Sequence, residues 1–344
     1  EGFVELNHNA FNNSKVLEEV VLPDSLEVIL SGAFSYCSAL RNVELPNNLK
    51  ELSNSSWWIG VFVGCTSLKE VVIPDSVEKI GPYTFNECTN LERVTYPAGV
   101  IDFGFKQFSG CAKLEEIIVK EGNKFAFTDD GIYYEIIDGE TTLSVYPAKK
   151  PGKFYEVLPN VTSIGNSAFD SAAYLEEVII PKTVTKLGTN LFFQCNAIRK
   201  VTIEAEVSVL PALMFAESSI EEIVFPSTIK EIERNCFRNT YKLKEINLPE
   251  GLLVIGDLAF YESSIEEIVL PSTVTEIGQA FFYAKNLKNV TLSDSLTTFV
   301  ASSFNNCGIE EITIPSSMVE VAEYSFVECP NLRVVNIPDS VATI

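Results

Sequence analysis

Residues 32–49 read GAFSYCSALRNVELPNNL, and residues 83–100 (YTFNECTNLERVTYPAGV) and 190–207 (NLFFQCNAIRKVTIEAEV) repeat the same pattern. Each stretch carries a phenylalanine, a cysteine three residues later, and a leucine or isoleucine that opens a short apolar run. The phenylalanine recurs thirteen times, mostly at steps of 21–23 residues. These column phenylalanines are Phe11, Phe34, Phe62, Phe85, Phe108, Phe169, Phe192, Phe215, Phe237, Phe260, Phe281, Phe304 and Phe326. Such a period predicts a solenoid of stacked repeats.

The consensus after the phenylalanine is L-x-x-V-x-I-P-x-x-V-x-x-I-G. Its L-x-x-V-x-I part alternates at the end and predicts a short strand with one buried face. Proline follows in ten of the thirteen repeats and ends the strand, since it has no N–H to donate and a fixed φ. A glycine after V-x-x-I in several repeats predicts a positive φ there. These glycines are Gly81, Gly165, Gly188, Gly256 and Gly278. The following Ala-Phe predicts a 3₁₀ or single helical turn.

Composition excludes several classes of function. The chain has 344 residues, with 25 lysines and arginines against 47 aspartates and glutamates, a formal net charge of −22. Nucleic acid and anionic membranes need a basic surface, so neither is expected as a partner. No apolar run approaches the roughly 20 residues of a membrane span, so membrane insertion is not expected either. A single histidine, His8, disfavours most acid–base and metal chemistry, and we predict no enzyme and no cofactor.

A unit of about 22 residues cannot bury its own apolar face and must stack on its neighbours. We predict an α/β repeat solenoid, mostly strand and turn with little helix, as one domain over 1–344 with about 13–14 repeats. A small insertion is expected at 53–60, and a β-hairpin insertion at about 120–160. In the latter, Asp138-Gly139 separates two β-prone runs and predicts a type I′ turn, and 155–159 predicts a strand that rejoins the stack. The sequence stops at Ile344 inside a repeat, so we expect a piece of a longer protein.

The consensus L-x-x-I-x-I-P-x-x-V-x-x-I-G-x-x-A-F-x-x-C resembles the BspA-like, or Treponema pallidum-type, leucine-rich repeat. The stretch 130–169, with Asp-Gly-Ile-Tyr-Tyr at its start, is similar to a variant repeat of that family. The resemblance implies a right-handed leucine-rich-repeat superhelix with a parallel concave β-sheet. It also implies a secreted or cell-surface protein of a host-associated bacterium, adhesin-like, with a protein partner such as a host matrix protein. The family has no catalytic or cofactor-binding residues to carry over.

Seven of the eight cysteines lie three residues after a column phenylalanine, and Cys236 directly precedes Phe237. Disulfides between neighbouring repeats are possible in distance, but side chains in one column point the same way, which disfavours the required torsion. A metal site would need convergent ligands, and the sequence has no C-x-x-C motif. The favoured interpretation is a column of small buried thiols.

The third residue of L-x-x-V-x-I is predicted to face the concave side and is glutamate in eight of thirteen repeats. We call these residues the glutamate column. Beside it runs a β-branched column that includes Val21, Val72, Val224 and Val269. Two interpretations remain open: an acidic groove with an apolar stripe that receives a basic partner, or a merely solubilising surface. The candidate partner-binding glutamates are Glu70, Glu116, Glu177, Glu222, Glu245, Glu267 and Glu311. The preceding residue alternates in sign from Arg199 onward, which predicts ion pairs between repeats.

The insertions supply four further candidate contacts. Trp57 and Trp58 lie in the small insertion and Tyr133 and Tyr134 in the hairpin, and aromatic residues are frequent in binding hot spots. The alternative is that these rings fold back onto the solenoid. Three hypotheses of function follow: an adhesin-like binding module, a structural spacer without its own ligand, and, more remotely, a carbohydrate-active enzyme that uses a carboxyl pair.

Overall fold

The computed structural model describes residues 2, 4–52, 59–104 and 106–344. Contacts divide the chain into two compact units, Glu1–Pro151 and Gly152–Ile344. The single domain over 1–344 therefore stays a prediction. Each unit is a stack of parallel two-strand turns, and no helix occurs among the described residues. The predicted solenoid of strand and turn is confirmed, whereas the helical turn around Ala-Phe is replaced by hydrogen-bonded turns, as where the Cys37 amide donates to the Phe34 carbonyl at 3.2 Å.

The strands of the first unit alternate between two sheet faces. The first sheet is built from the L-x-x-V-x-I segments and the second from the V-x-x-I segments. In the first unit the strands are β1 (Glu5–Leu6), β2 (Glu19–Val21), β3 (Val28–Ile29), β4 (Asn42–Glu44), β5 (Glu51–Leu52), β6 (Glu70–Val72), β7 (Lys79–Ile80), β8 (Arg93–Tyr96), β9 (Glu116–Val119), β10 (Ala126–Asp129), β11 (Ile132–Ile137) and β12 (Glu140–Val145). β2, β4, β6, β8 and β9 lie on the first sheet face, and β1, β3, β5 and β7 form the second sheet.

The second unit repeats the same alternation over more turns. Its strands are β13 (Phe154–Glu156), β14 (Val161–Ile164), β15 (Glu177–Ile180), β16 (Lys186–Leu187), β17 (Lys200–Ile203), β18 (Val209–Leu210), β19 (Glu222–Val224), β20 (Glu231–Ile232), β21 (Val254–Ile255), β22 (Glu267–Val269), β23 (Glu276–Ile277), β24 (Asn289–Thr291), β25 (Thr298–Phe299), β26 (Glu311–Thr313) and β27 (Val334–Asn336). Two runs, β13-β15-β17-β19 and β22-β24-β26-β27, lie on the first sheet face. The pairing is in register, so Glu177 lies beside Lys200 and Lys200 beside Glu222.

The column phenylalanines form the centre of the core, as predicted. Within each unit, successive rings lie 4.9–5.9 Å apart between centroids and within 16° of parallel. Offset stacking of this kind contributes about 0.5–1.5 kcal/mol per pair beyond the burial of area. Fully buried members are Phe34, Phe62, Phe85, Phe169, Phe192, Phe215, Phe237, Phe260, Phe281 and Phe304.

Backbone geometry around each column phenylalanine departs from the prediction. The residues two before and two after it adopt positive φ in nearly every turn, as at Asn235 (57°) and Asn239 (55°) around Phe237. A left-handed conformation costs a non-glycine residue roughly 1–2 kcal/mol. Hydrogen bonds to the next turn offset that cost. The Phe237 amide donates to the Ala259 carbonyl and the Asn239 amide donates to the Tyr261 carbonyl, both at 2.8 Å.

The consensus glycine has a different role from the one predicted. None of the five glycines named above has a positive φ, so that expectation is wrong. At Gly188 an added Cβ would lie 2.5 Å from the Asn166 amide nitrogen and from the Gly165 carbonyl carbon. At Gly256 it would lie 2.9 Å from the Arg234 nitrogen. Glycine is therefore required because the backbones of adjacent turns approach too closely for a side chain.

The insertion in the first unit is a three-stranded antiparallel meander, β10-β11-β12. Asp138 and Gly139 both have positive φ, at 52° and 82°, which confirms the type I′ turn between β11 and β12. A second Asp-Gly pair, Asp130 (45°) and Gly131 (75°), joins β10 to β11 in the same way. Sequence analysis missed this second hairpin although the dipeptide signal is identical. The strand predicted at 155–159 is present as β13, which begins at Phe154 and ends at Glu156, parallel to β15.

Replacing Phe237 by alanine should lower the free energy of unfolding by about 3–5 kcal/mol, because the ring is fully buried between Phe215 and Phe260. Urea denaturation followed by circular dichroism measures this loss. Tyr241→Ala is the control in the same unit, since that ring is 63% exposed. Equal losses for the two variants would contradict the stacked core.

Gly188→Ala should destabilise by about 1–3 kcal/mol, the usual range for an overpacked site. Gly99→Ala should be close to neutral, because its added Cβ would meet nothing nearer than the Asp75 carbonyl oxygen at 3.5 Å. Thermal melting of both variants beside the parent compares the two sites. A neutral Gly188 variant would show that adjacent turns are not in close contact there.

Candidate functional site

Strand pleating exposes the glutamate column on the first sheet face. In β22, Glu267 and Val269 point to solvent while Ile268 between them is buried. The same exposed–buried–exposed order occurs in β6, β19 and β26, which carry Glu70, Glu222 and Glu311. Glu177 and Glu245 are also exposed, and Glu116 is half-buried. Within each unit, the candidate glutamates therefore lie on the sheet face predicted from the period-two pattern.

The β-branched column forms an apolar stripe next to these carboxylates. Val21 is 88% exposed, Val269 65% and Val72 54%. The valines do not follow one another in adjacent turns, because Glu44 lies beside Val21 and Thr291 beside Val269. Exposed apolar surface in water is nevertheless unfavourable. Charge and apolar area are therefore available side by side within individual turns.

Basic residues interrupt the column and neutralise part of it. The Arg93 Nε lies 2.9 Å from the Glu116 Oε2, and the Lys200 Nζ lies 2.7 Å from the Glu222 Oε1. The hydrogen bond with Glu222 raises the pKa of Lys200. Exposed pairs of this kind contribute at most about 1 kcal/mol. The face is therefore less uniformly acidic than the run of glutamates predicts.

The neighbouring column forms the predicted ion pairs between turns. The Arg199 Nε lies 3.3 Å from the Glu221 Oε2, and the Glu266 carboxylate lies between Lys244 (3.1 Å) and Lys288 (3.2 Å). The two lysines lower the pKa of Glu266. One ion pair departs from the predicted alternation. In the next turn, the Nζ of Lys242 lies 3.7 Å from the Glu221 Oε1. These contacts link adjacent turns at the edge of the first sheet.

One turn of the first sheet has no strand, and sequence analysis did not predict it. The segment 245–248 occupies the place of a strand between β19 and β22 but joins neither. Among the described residues, no backbone hydrogen bond connects this segment to either neighbouring turn. Asn247 lies where most other turns have a β-branched residue, and asparagine is a poor strand former. The first sheet of the second unit is therefore broken at a turn that carries Glu245.

The aromatic residues of the hairpin are not available to a partner. Tyr134 is fully buried and stacks on Phe127 with ring centroids 4.8 Å apart. Tyr133 is also buried, against Tyr96 and Phe103. The prediction that both rings contact a partner is thus corrected, because the meander packs onto the core instead of projecting from it. Trp57 and Trp58 lie outside the described residues.

A carboxyl group lies within this aromatic packing. Glu135 accepts hydrogen bonds from the Tyr133 hydroxyl at 3.2 Å and from the Ser144 hydroxyl at 2.6 Å. Burial raises the pKa of Glu135, and the nearby Asp102 carboxylate adds to the effect, while the two hydrogen bonds oppose it. The same cluster holds the hydroxyl of Tyr96, which is buried and has no hydrogen-bond partner. Neutral Glu135 is therefore favoured by its surroundings.

The thiols line the core next to the column phenylalanines. All eight cysteines are free, and all but Cys329 are buried. The thiol of Cys65 donates to the carbonyl of Phe34 in the preceding turn at 3.1 Å, and Cys195 donates likewise to Phe169 at 2.9 Å. Burial raises the pKa of seven of these thiols, to about 12 for Cys307; the seven are Cys37, Cys65, Cys88, Cys195, Cys236, Cys307 and Cys329. The described residues contain no group of three potential ligands that could hold a metal ion.

The fold and this face define a class of protein, a parallel β-solenoid built from repeats of about 22 residues. The profile of the BspA type leucine rich repeat region matches residues 4–130, 153–264 and 253–344. The chain therefore belongs to the BspA-type leucine-rich repeat family. No curated protein matches the sequence. Among the described residues, no helix is long and apolar enough to cross a membrane.

Solved structures of bacterial leucine-rich repeat proteins share the fold. A leucine rich cell surface protein from Faecalibacterium prausnitzii is 24% identical, with a TM-score of 0.56, over 98% of this chain and 77% of its own. A leucine-rich repeat protein from Bacteroides ovatus is 21% identical, with a TM-score of 0.55, over 96% of this chain and 87% of its own. A third, from Eubacterium ventriosum, is 22% identical, with a TM-score of 0.57, over 76% and 81%. At these identities the likeness shows the fold alone.

Glu135→Gln should raise stability at pH 7 relative to the parent. A carboxyl group whose pKa is raised by folding binds its proton more tightly in the folded state, so its ionisation destabilises the protein as pH rises above the ordinary glutamate range. The advantage of glutamine should shrink as pH falls towards about 4, near the unperturbed glutamate pKa. Urea titrations at the two pH values, with Glu140→Gln on the same hairpin as the control, measure it. A glutamine variant less stable at pH 7 would contradict the assigned environment.

Thiol labelling should be slow in the folded protein, because the thiolate is the reactive form and burial raises the pKa of the cysteines. Cys329, which is half-buried, should react first. All eight thiols should react after denaturation without reductant, as counted by mass spectrometry. Recovery of fewer than six would contradict the free-thiol column.

Proposed function

We propose that this protein is a binding module of the cell surface or of the secreted fraction, which engages a protein partner through its first sheet face. The observation that carries the proposal is the juxtaposition of exposed glutamates with exposed valines in the same strand, as at Glu267 and Val269. A solubilising surface would need the carboxylates but not the valines.

Two further considerations support this function and location. The family consists of repeat solenoids, whose extended surfaces are commonly used for binding. The Faecalibacterium prausnitzii relative is described as a cell surface protein. An adhesin-like role is consistent with both, and a matrix protein of a host with a basic patch is the class of partner that fits the charge.

Charge and apolar contact are expected to act on different steps of binding. Exposed carboxylates accelerate encounter with a basic partner and discriminate against acidic ones, whereas apolar anchors slow dissociation. The Debye length is about 8 Å at physiological salt, so the acceleration should weaken as salt rises. The interaction should therefore show a salt-dependent association rate and a dissociation rate that depends much less on salt.

The triple variant Glu177→Gln, Glu222→Gln, Glu311→Gln removes three carboxylates from the first sheet face of the second unit. Binding of a basic matrix protein, measured by surface plasmon resonance, should lose about tenfold in association rate at low salt, within the range seen for charge variants of one interface. Stability should change little, because all three side chains are exposed.

The matched control is Glu231→Gln, Glu276→Gln, Glu320→Gln, which removes the same charge from the second sheet side. Its association rate should stay near that of the parent. Equal slowing by both triple variants would indicate a general field effect and contradict the first-sheet site. If the association rate of a partner changes neither in the two triple variants nor with salt, the structural-spacer function is favoured.

A further inference from the structure

We propose that the break in the first sheet of the second unit is a site for the side chain of an arginine, presented by an extended segment of the partner. This inference rests on the proposed function and deepens it, since it names one place on the binding face and the chemical group that occupies it.

The break is a gap between adjacent turns, and hydrogen bonds join these turns at both ends of the gap. On one side of segment 245–248, the Glu266 amide donates to the Lys244 carbonyl at 2.8 Å. On the other side, the Thr273 hydroxyl donates to the Leu252 carbonyl at 2.7 Å and accepts from the Gly251 amide at 3.1 Å. Adjacent turns are thus held together at both ends of the opening, which leaves too little freedom to admit a whole additional strand. A single side chain can enter.

Between these closed ends lies a cleft of about 460 Å³. Its wall combines three residues with carboxylates, Glu245, Glu250 and Glu267, with the exposed side chain of Val269. The unpaired backbone of segment 245–248 also borders it, and its carbonyl groups are free to accept hydrogen bonds.

The carboxylates of the cleft have no cation of their own. Among the described residues, none of the three forms an ion pair, and Glu267 accepts only from the Asn289 side-chain amide, at 2.7 Å. The lysines of the neighbouring column, Lys244 and Lys288, are both engaged by Glu266. The Lys230 Nζ lies close to Gly251, the residue after Glu250. An arriving cation would therefore meet uncompensated negative charge at Glu245 and Glu267.

The intact part of the same sheet shows how this charge is compensated elsewhere. Lys200 of β17 lies between Glu177 and Glu222 in the register of the sheet, and its Nζ pairs with Glu222 at 2.7 Å. In the broken turn the corresponding residues are Glu245 and its neighbour Glu267, with no basic residue between them. A partner cation would compensate the charge of the carboxylates at the break, as Lys200 does in the intact sheet.

Arginine matches this cleft better than other cationic groups. Its guanidinium has five N–H donors in a planar fork, which suits several carboxylate and carbonyl acceptors at once. Its aliphatic stem can lie along the exposed Val269 side chain while the head reaches the acceptors. Lysine carries the same charge but only three donors at one point and should bind more weakly.

Methyl NMR on the intact protein tests the proposal. The probe is acetyl-threonyl-arginyl-threonine amide, and its matched control is the same tripeptide with neutral citrulline in place of arginine. The methyl groups of Ile246, Ile268 and Val269 report on the cleft, and those of Val224 and Val334 report on the first sheet elsewhere. The arginine probe should give saturable shifts confined to the cleft methyls, and the citrulline probe should give none.

Two double variants decide which carboxylates matter. Glu245→Gln with Glu267→Gln should weaken the arginine probe about tenfold or more, as expected for the loss of charge-assisted hydrogen bonds. Glu177→Gln with Glu311→Gln removes equal charge from the same face and should leave the affinity unchanged. Both variants change exposed side chains, so a folding defect is not expected.

Equal shifts at all first-sheet valines would overturn the cleft while supporting a general acidic binding face. Equal response to arginine and citrulline, equal loss in both double variants, or no shift at all would likewise overturn it. The proposed function would fail separately, through a partner whose association ignores the first-sheet glutamates altogether.

Discussion

Every turn of this protein depends on the adjacent turn for both its core and its backbone hydrogen bonds. A unit of about 22 residues has no second layer of its own, so Phe237 is buried only because Phe215 and Phe260 cover its two faces. The same neighbour accepts the amide hydrogens of the left-handed turn at Asn239 and approaches too closely at Gly256 to allow a side chain. Stability therefore grows with each stacked turn, as in a one-dimensional array.

The parts of the fold that repeat were predictable, and the parts that depend on spatial neighbours were not. The phenylalanine column and the Asp138-Gly139 turn follow from period and dipeptide chemistry. The positive φ beside each phenylalanine could not be predicted from the sequence, because asparagine, glutamate, leucine and serine all occupy those positions. The burial of Tyr133 and Tyr134 depends on packing against Tyr96 and Phe127, which are distant in sequence or in a neighbouring strand. The sequence signal for the missing strand was Asn247 alone.

The same stacking determines what the surface can do. In-register strands bring side chains of successive turns close together, so charge repeated in the sequence becomes a continuous column in space. Where a basic residue such as Lys200 occurs in the column, the protein compensates its own charge. At Glu245, where the strand is missing, the described residues give the carboxylate no ion-pair partner and the backbone polar groups of the segment no hydrogen bond to a neighbouring turn. A departure from the repeat thus distinguishes this turn from the other first-sheet turns of the second unit, and that distinction underlies the site proposed there.

Native-state hydrogen exchange at single-residue resolution tests most directly whether pairing between turns holds the second unit together and fails at the turn that carries Glu245. The Glu204 amide donates to Ile180 at 2.8 Å and the Leu270 amide donates to Thr291 at 2.9 Å, so both should exchange slowly. The amides of Ile246 and Asn247 have no backbone partner and should exchange faster than these by orders of magnitude. Protection of Ile246 and Asn247 equal to that of Glu204 and Leu270 would contradict the broken sheet and the account built on it.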